Sequence, residues 1–138
     1  ANHVRLLRPG GTVALEEWDV SSWNFNPPVR ALDSLVELIG QSFAQSGGDM
    51  HVGLKLLDLL RGVGVEGNVR SEVLALPPGH PYLRLPLQFA AALEERLLSI
   101  VEVGELEQLR KESDAELEEP GRWGTTFTLV QCWGQSAA

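Results

Sequence analysis

Apolar and polar positions alternate along the chain in blocks that predict short strands set between amphipathic helices. Asn2–Arg8 reads as the last turns of a helix, and Pro9-Gly10-Gly11 ends it, since glycine takes the positive φ of a helix C-cap at little cost. Thr12–Leu15 is apolar without alternating, the pattern of a strand covered on both faces in a parallel sheet. Polar residues come only at its C-terminal end, where Glu16, Glu17 and Asp19 flank Trp18, and the strand is placed over 12–18. "SSWNFNPP" (21–28) is a loop. A helix follows over Val29–Gln45, with Leu32, Leu35, Val36, Ile39 and Phe43 at helical spacing. "SGGDMH" breaks the pattern, and Val52–Val63 resumes it with Leu54, Leu57 and Leu60 until Gly62 and Gly64.

A second strand is expected over 68–76, around Val69, Val73 and Leu74, and ends at the rigid turn "PPGHPY". Leu83–Val101 reads as one long helix whose stripe is Leu85, Phe89, Leu93, Leu97 and Ile100, and Val103–Leu117 as an acidic helix. The last strand, over 125–133, is rich in β-branched and aromatic residues and apolar on both faces. The layout is α/β: about three strands covered by four to five helices, in a single domain over 1–138. Its 138 residues, 43% of them hydrophobic, suffice for a real core.

Charge narrows the classes. Eleven basic against nineteen acidic residues give a net charge of -8, with only two lysines, Lys55 and Lys111, and scattered arginines. Nucleic acids and anionic membrane surfaces call for clustered cations, so neither is an expected partner. Cys132 has no second cysteine to bridge, and no apolar run reaches the length of a membrane span; the chain is read as cytoplasmic.

Several residues could carry chemistry. Glu17 and Asp19 end a strand at the edge where open α/β sheets bind ligands, so they are either substrate contacts or a solvated strand end. Trp18 and Trp23 either wall a pocket or anchor the loop. His51 is either a general base or a surface or capping histidine, and Asp49 beside it suits an N-cap. The turn at "PPGHPY" either aims His80 and Tyr82 into a pocket or fixes a connection. His3, His51 and His80 lack the spacing of metal ligands, so no metal site is expected. Cys132 reads as an inert core thiol. The acidic helix is either a solvated face or, through Leu106, Leu109 and Leu117, a partner-binding stripe.

Four stretches together resemble the C-terminal half of a class I S-adenosylmethionine-dependent methyltransferase of the small-molecule type. "LLRPGGTVALEEWD" is similar to the helix, turn and fifth strand of that family, and "GGDMHVGLKLLDLLRGVGV" to the helix leading into the sixth. "GHPYLRLPLQFAAALEERLL" resembles the helical insertion that covers the substrate pocket, placed here over about 79–120, and "TTFTLVQCWGQ" the terminal antiparallel seventh strand.

The resemblance implies a partial Rossmann-like fold and S-adenosylmethionine as cofactor of the complete fold. It also implies in-line methyl transfer to a small-molecule acceptor, resting on proximity with one general base. The Gly-rich cofactor turn has no counterpart, because Gly10-Gly11 and Gly47-Gly48 both follow helices, so no cofactor residue carries over. The chain is then the substrate side of a methyltransferase, inactive and without cofactor unless an N-terminal half completes it. The alternative is a non-enzymatic module that binds an apolar ligand or a protein partner. For that module the first strand lacks the neighbour the family provides, so self-association of two copies is expected, whereas the methyltransferase reading calls for a missing N-terminal half as the partner.

Overall fold

The computed structural model describes residues 5–136, so His3 and positions 2–4 of the expected first helix lie outside the described residues, and of positions 5–8 only Arg5 is helical. The protein is a mixed α/β chain with five α-helices and two small antiparallel sheets among those residues. It divides into two compact units, one built from residues 1–22, 50–73 and 127–138, the other from 23–49 and 74–126.

The first unit holds a three-stranded sheet of β1 (Thr12–Asp19), β3 (Glu66–Glu72) and β6 (Thr128–Gln135). β6 lies in the middle and is antiparallel to both neighbours, so β1 and β3 run parallel to each other. Leu15 stands opposite Cys132 and Val13 opposite Gly134, while Val69 stands opposite Cys132 from the other side. Helix α2 (Val52–Arg61) packs on this sheet. Val13, Leu56, Leu60, Val65, Val130 and Cys132 form the core between them, with Leu7, Leu15 and Leu57 against it. Gly10, at φ 71°, makes the expected turn before β1, and the Gly11 N–H donates to the Arg8 carbonyl at 2.8 Å.

The second unit holds β2 (Asn24–Asn26), β4 (Ala75–Leu76) and β5 (Trp123–Thr125), with β5 in the middle. Around them stand α1 (Arg30–Gln45), α3 (Leu85–Ala92), α4 (Glu94–Leu97) and α5 (Val103–Leu117). α1 packs against α3, α4 and α5 and buries Leu32, Leu35 and Ile39 completely. Val29 stands at the N-cap of α1 and offers no side-chain oxygen to its orphan N–H groups. Glu116 supplies the oxygens instead: Oε1 accepts from the N–H of Arg30 at 2.9 Å and of Ala31 at 3.1 Å, and Oε2 from Leu32 at 2.9 Å. The buried Arg122 donates Nε–H to the Glu116 carbonyl at 3.0 Å, and its terminal nitrogens donate to the Pro27 carbonyl and the Glu119 carboxylate.

Several expectations are corrected. One three-stranded sheet is replaced by two, and the described residues form no Rossmann-like parallel sheet. The strand expected over 68–76 divides into β3 and β4, and that over 125–133 into β5 and β6. The reason lies at Leu74 and Thr126: Leu74 N–H donates to Thr126 Oγ1 at 3.0 Å and Thr126 N–H to the Leu74 carbonyl at 2.9 Å, so a side chain takes the place of a ladder bond. β1 is not covered on both faces, since Val13 is buried while Thr12, Ala14 and Glu16 are exposed. Asn24–Asn26, expected in a loop, is a short strand because β5 supplies its ladder. α2 buries Gly53, Leu56 and Leu60 and turns Leu54 outward. The long helix over 83–101 is broken at Leu93 into α3 and α4 after a 3₁₀ turn at Pro81–Arg84, with no breaker residue at Leu93 to announce it. The α2 N-cap is His51, not Asp49.

Candidate functional site

β1 delivers Asp19 at its C-terminal end, and the turn before α2 delivers His51. Asp19 Oδ2 lies 2.7 Å from His51 Nδ1. The Asp19 side chain is 2% exposed and that of His51 53%, so a buried carboxylate holds a half-exposed imidazole. The backbone closes the arrangement: Ser21 N–H donates to Asp19 Oδ1 at 3.0 Å, and Val20 N–H donates to the Met50 carbonyl at 3.2 Å. Two residues beyond the histidine, Gly53 lets α2 approach β1, because a Cβ there would stand 2.8 Å from the Trp18 carbonyl oxygen.

An ionised carboxylate only accepts hydrogen bonds, so Nδ1 carries the proton and Nε2 keeps its lone pair in the neutral ring. Burial pushes the Asp19 carboxyl up, but hydrogen bonds from Ser21 and His51 and the charge of His51 outweigh it and hold the group below its ordinary value. Ser21 Oγ lies 3.4 Å from the same Nδ1. A Ser-His-Asp hydrolase places serine and acid on opposite ring nitrogens, so this cluster is a dyad with a supporting serine and not a nucleophilic triad.

The other candidates spread over both units. In the first, Glu17 is exposed on β1 beside Asp19. Trp18 is half-buried, with its ring edge-on to Phe127 at a centroid distance of 5.0 Å. In the second unit, Trp23 is 6% exposed and packs near Phe25 and Phe89, as a loop anchor does. His80 lines a cavity of about 320 Å³ with Leu83, Arg84, Glu118 and Arg122, and its Nδ1 accepts from Tyr82 N–H at 3.2 Å. Tyr82 is 54% exposed and stays outside that lining. Leu106 is buried and Leu109 and Leu117 are half-buried on α5. No three His, Cys, Asp or Glu residues gather in a metal-holding group among the described residues. No helix there is long and apolar enough to cross a membrane.

Sequence reasoning missed Ser21 and Gly53. Gly53 left a signal, since a glycine near the start of an otherwise leucine-rich helix marks a close approach; Ser21 left none, because an Asx-turn takes the backbone N–H of whatever non-proline residue stands two positions after the Asp.

The residues present do not fit an S-adenosylmethionine cradle. Of the glycines with positive φ, Gly10, Gly64 and Gly121 precede strands and Gly47 lies between helices. Gly79 follows the two-residue β4, but it stands among Pro77, Pro78 and Pro81, which have no N–H to offer a ligand. Compared with known proteins, the chain matches no protein-family model and no curated protein.

Proposed function

We propose that this chain is the substrate-side portion of a methyltransferase acting on a small molecule, and that Asp19 and His51 form its proton-accepting dyad. The observation that carries the chemistry is the 2.7 Å contact between the buried Asp19 and the half-exposed His51 at the end of a strand. Asp19 fixes the tautomer and orientation of the ring. His51 Nε2 then takes the proton of an acceptor hydroxyl or amine, as a positioned general base does. Two features of the first sheet support the family reading. Its terminal strand β6 is antiparallel to its neighbours, as the resemblance implies, and β1 pairs on one side only among the described residues, as a strand awaiting a neighbour would.

Two titrations with S-adenosylmethionine in a calorimeter test this reading. The full reading frame containing this chain is expected to give saturable heat at one site, and the present chain none. A full-length product that gives no saturable heat removes the reading. Saturable heat from the present chain would show that it builds a cofactor pocket itself.

Among the described residues no strand pairs with the outer edge of β1, which also favours a second reading, a self-associating module, since such edges template pairing with another chain. Light scattering on the purified chain at micromolar concentration separates the two, and a clean monomer counts against the module.

A further inference from the structure

We infer that the groove between α1 and α5 is a docking surface for a basic amphipathic helix of a partner protein. Glu116 ties the C-terminal end of α5 to the N-terminal end of α1, so these packed helices run antiparallel. Between them lies an open depression of about 440 Å³. Leu38, Val101 and Leu109 give it apolar surface, and Glu37, Glu105 and Glu112 line it with carboxylates.

Charge complementarity names the occupant. Arg84, Arg110 and Arg122 of the same unit pair with Asp114, Glu118, Glu94 and Glu119. No Lys or Arg pairs with Glu37, Glu105 or Glu112 among the described residues. Three carboxylates beside Leu38, Val101 and Leu109, of which Glu112 also accepts from Gln108 Nε2 at 2.6 Å, fit Lys or Arg side chains flanking a leucine-type anchor, the helix-in-groove mode of recognition. The groove's openness favours a helix over a small ligand, which sites enclose on most sides.

The probe is a synthetic amphipathic helix of lysine and leucine, about four turns long, titrated calorimetrically into the full chain. Saturable one-to-one binding that weakens with salt is expected. It should fall by about tenfold or more in the Glu105→Lys, Glu112→Lys double variant. The Glu66→Lys, Glu72→Lys control, on β3, changes the net charge equally and should leave binding unchanged. Absence of saturable binding, equal loss in both double variants, or hexylamine binding as tightly as the peptide would each overturn the proposal. Glu105 and Glu112 are exposed, so the fold should tolerate the change. If circular dichroism shows lost helix, Glu37→Lys on the facing helix is the variant that decides.

Discussion

Gly53 sits so close to Trp18 that a single added methyl group would meet its carbonyl oxygen at 2.8 Å and its carbonyl carbon at 2.9 Å. Both atoms are backbone, so neither can swing aside as the tip of a side chain would. Gly53→Ala must push the first turn of α2 away from β1, carrying His51 off Asp19. The expected loss is about 1–3 kcal/mol, the usual range for overpacking. Denaturant unfolding measures it, and nitrogen NMR of the His51 ring reports whether the bond to Asp19 survives. An unchanged midpoint and an unchanged ring signal would show that the close approach carries no constraint.

The hydrogen bonds that Ser21 and His51 give Asp19 also make stability depend on acid. The Asp19 carboxyl is held below its ordinary value, so between its folded and unfolded pKa values the unfolded chain binds more protons than the folded one. Its contribution is therefore complete above the unfolded value, about 3.9, and is lost as pH falls through the lower folded value. Asp19→Asn removes that contribution. Its unfolding free energy should lie below that of the parent at neutral pH, and the gap should narrow as pH drops below about 4. Parallel curves down to acid pH would mean that Asp19 is not stabilised as a carboxylate.

Much of the helical framework was legible in the sequence. Val103–Leu117 was expected and found with the same bounds, and α1 began one residue later than expected. The apolar spacing of Leu32, Leu35 and Ile39 is local to α1, so pattern sufficed there, although its cap comes from the distant Glu116. The divided strands were not legible, because the break depends on Leu74 and Thr126 meeting across 52 positions of sequence. The site was legible only in pieces. Asp19 and His51 each stood out, one as a strand-end acid and the other as a histidine before a helix. Their pairing across 32 positions follows from the β1-α2 packing that Gly53 permits, which no single-residue signal encodes.

Arg122 and Glu116 make the second unit sensitive to conservative change. Arg122 is 3% exposed and uses three nitrogens in three directions, toward Glu116, Pro27 and Glu119. Lysine keeps the charge but has one nitrogen, so Arg122→Lys should lose about 1–3 kcal/mol, as expected when a hydrogen-bonded group is left unsatisfied. Arg122→Ala should lose more than Arg122→Lys, because it also removes the packing of a side chain that is buried itself. Glu116→Ala removes the cap of α1 and should lose about 1–2 kcal/mol. Thermal unfolding ranks the three variants. Arg122→Lys behaving as the parent would show that charge alone, and not the guanidinium fork, holds this corner.

Cys132 offers a way to watch the first unit open. It lies on the middle strand, β6, at 1% exposure, and burial pushes its thiol up from its ordinary value. Both effects suppress the thiolate that reacts. A thiol reagent should therefore leave the native protein unlabelled at neutral pH while it modifies the unfolded chain fully. Slow labelling of the native protein would then report the population of opened molecules, provided that closing outpaces modification. In that regime Gly53→Ala should speed labelling about tenfold for each 1.4 kcal/mol it removes, because α2 and β1 cover the same core that contains Cys132. Immediate stoichiometric labelling of the folded chain would contradict the burial of Cys132. A Gly53→Ala variant that is destabilised globally yet labels at the parental rate would show that β6 opens independently of the β1-α2 contact.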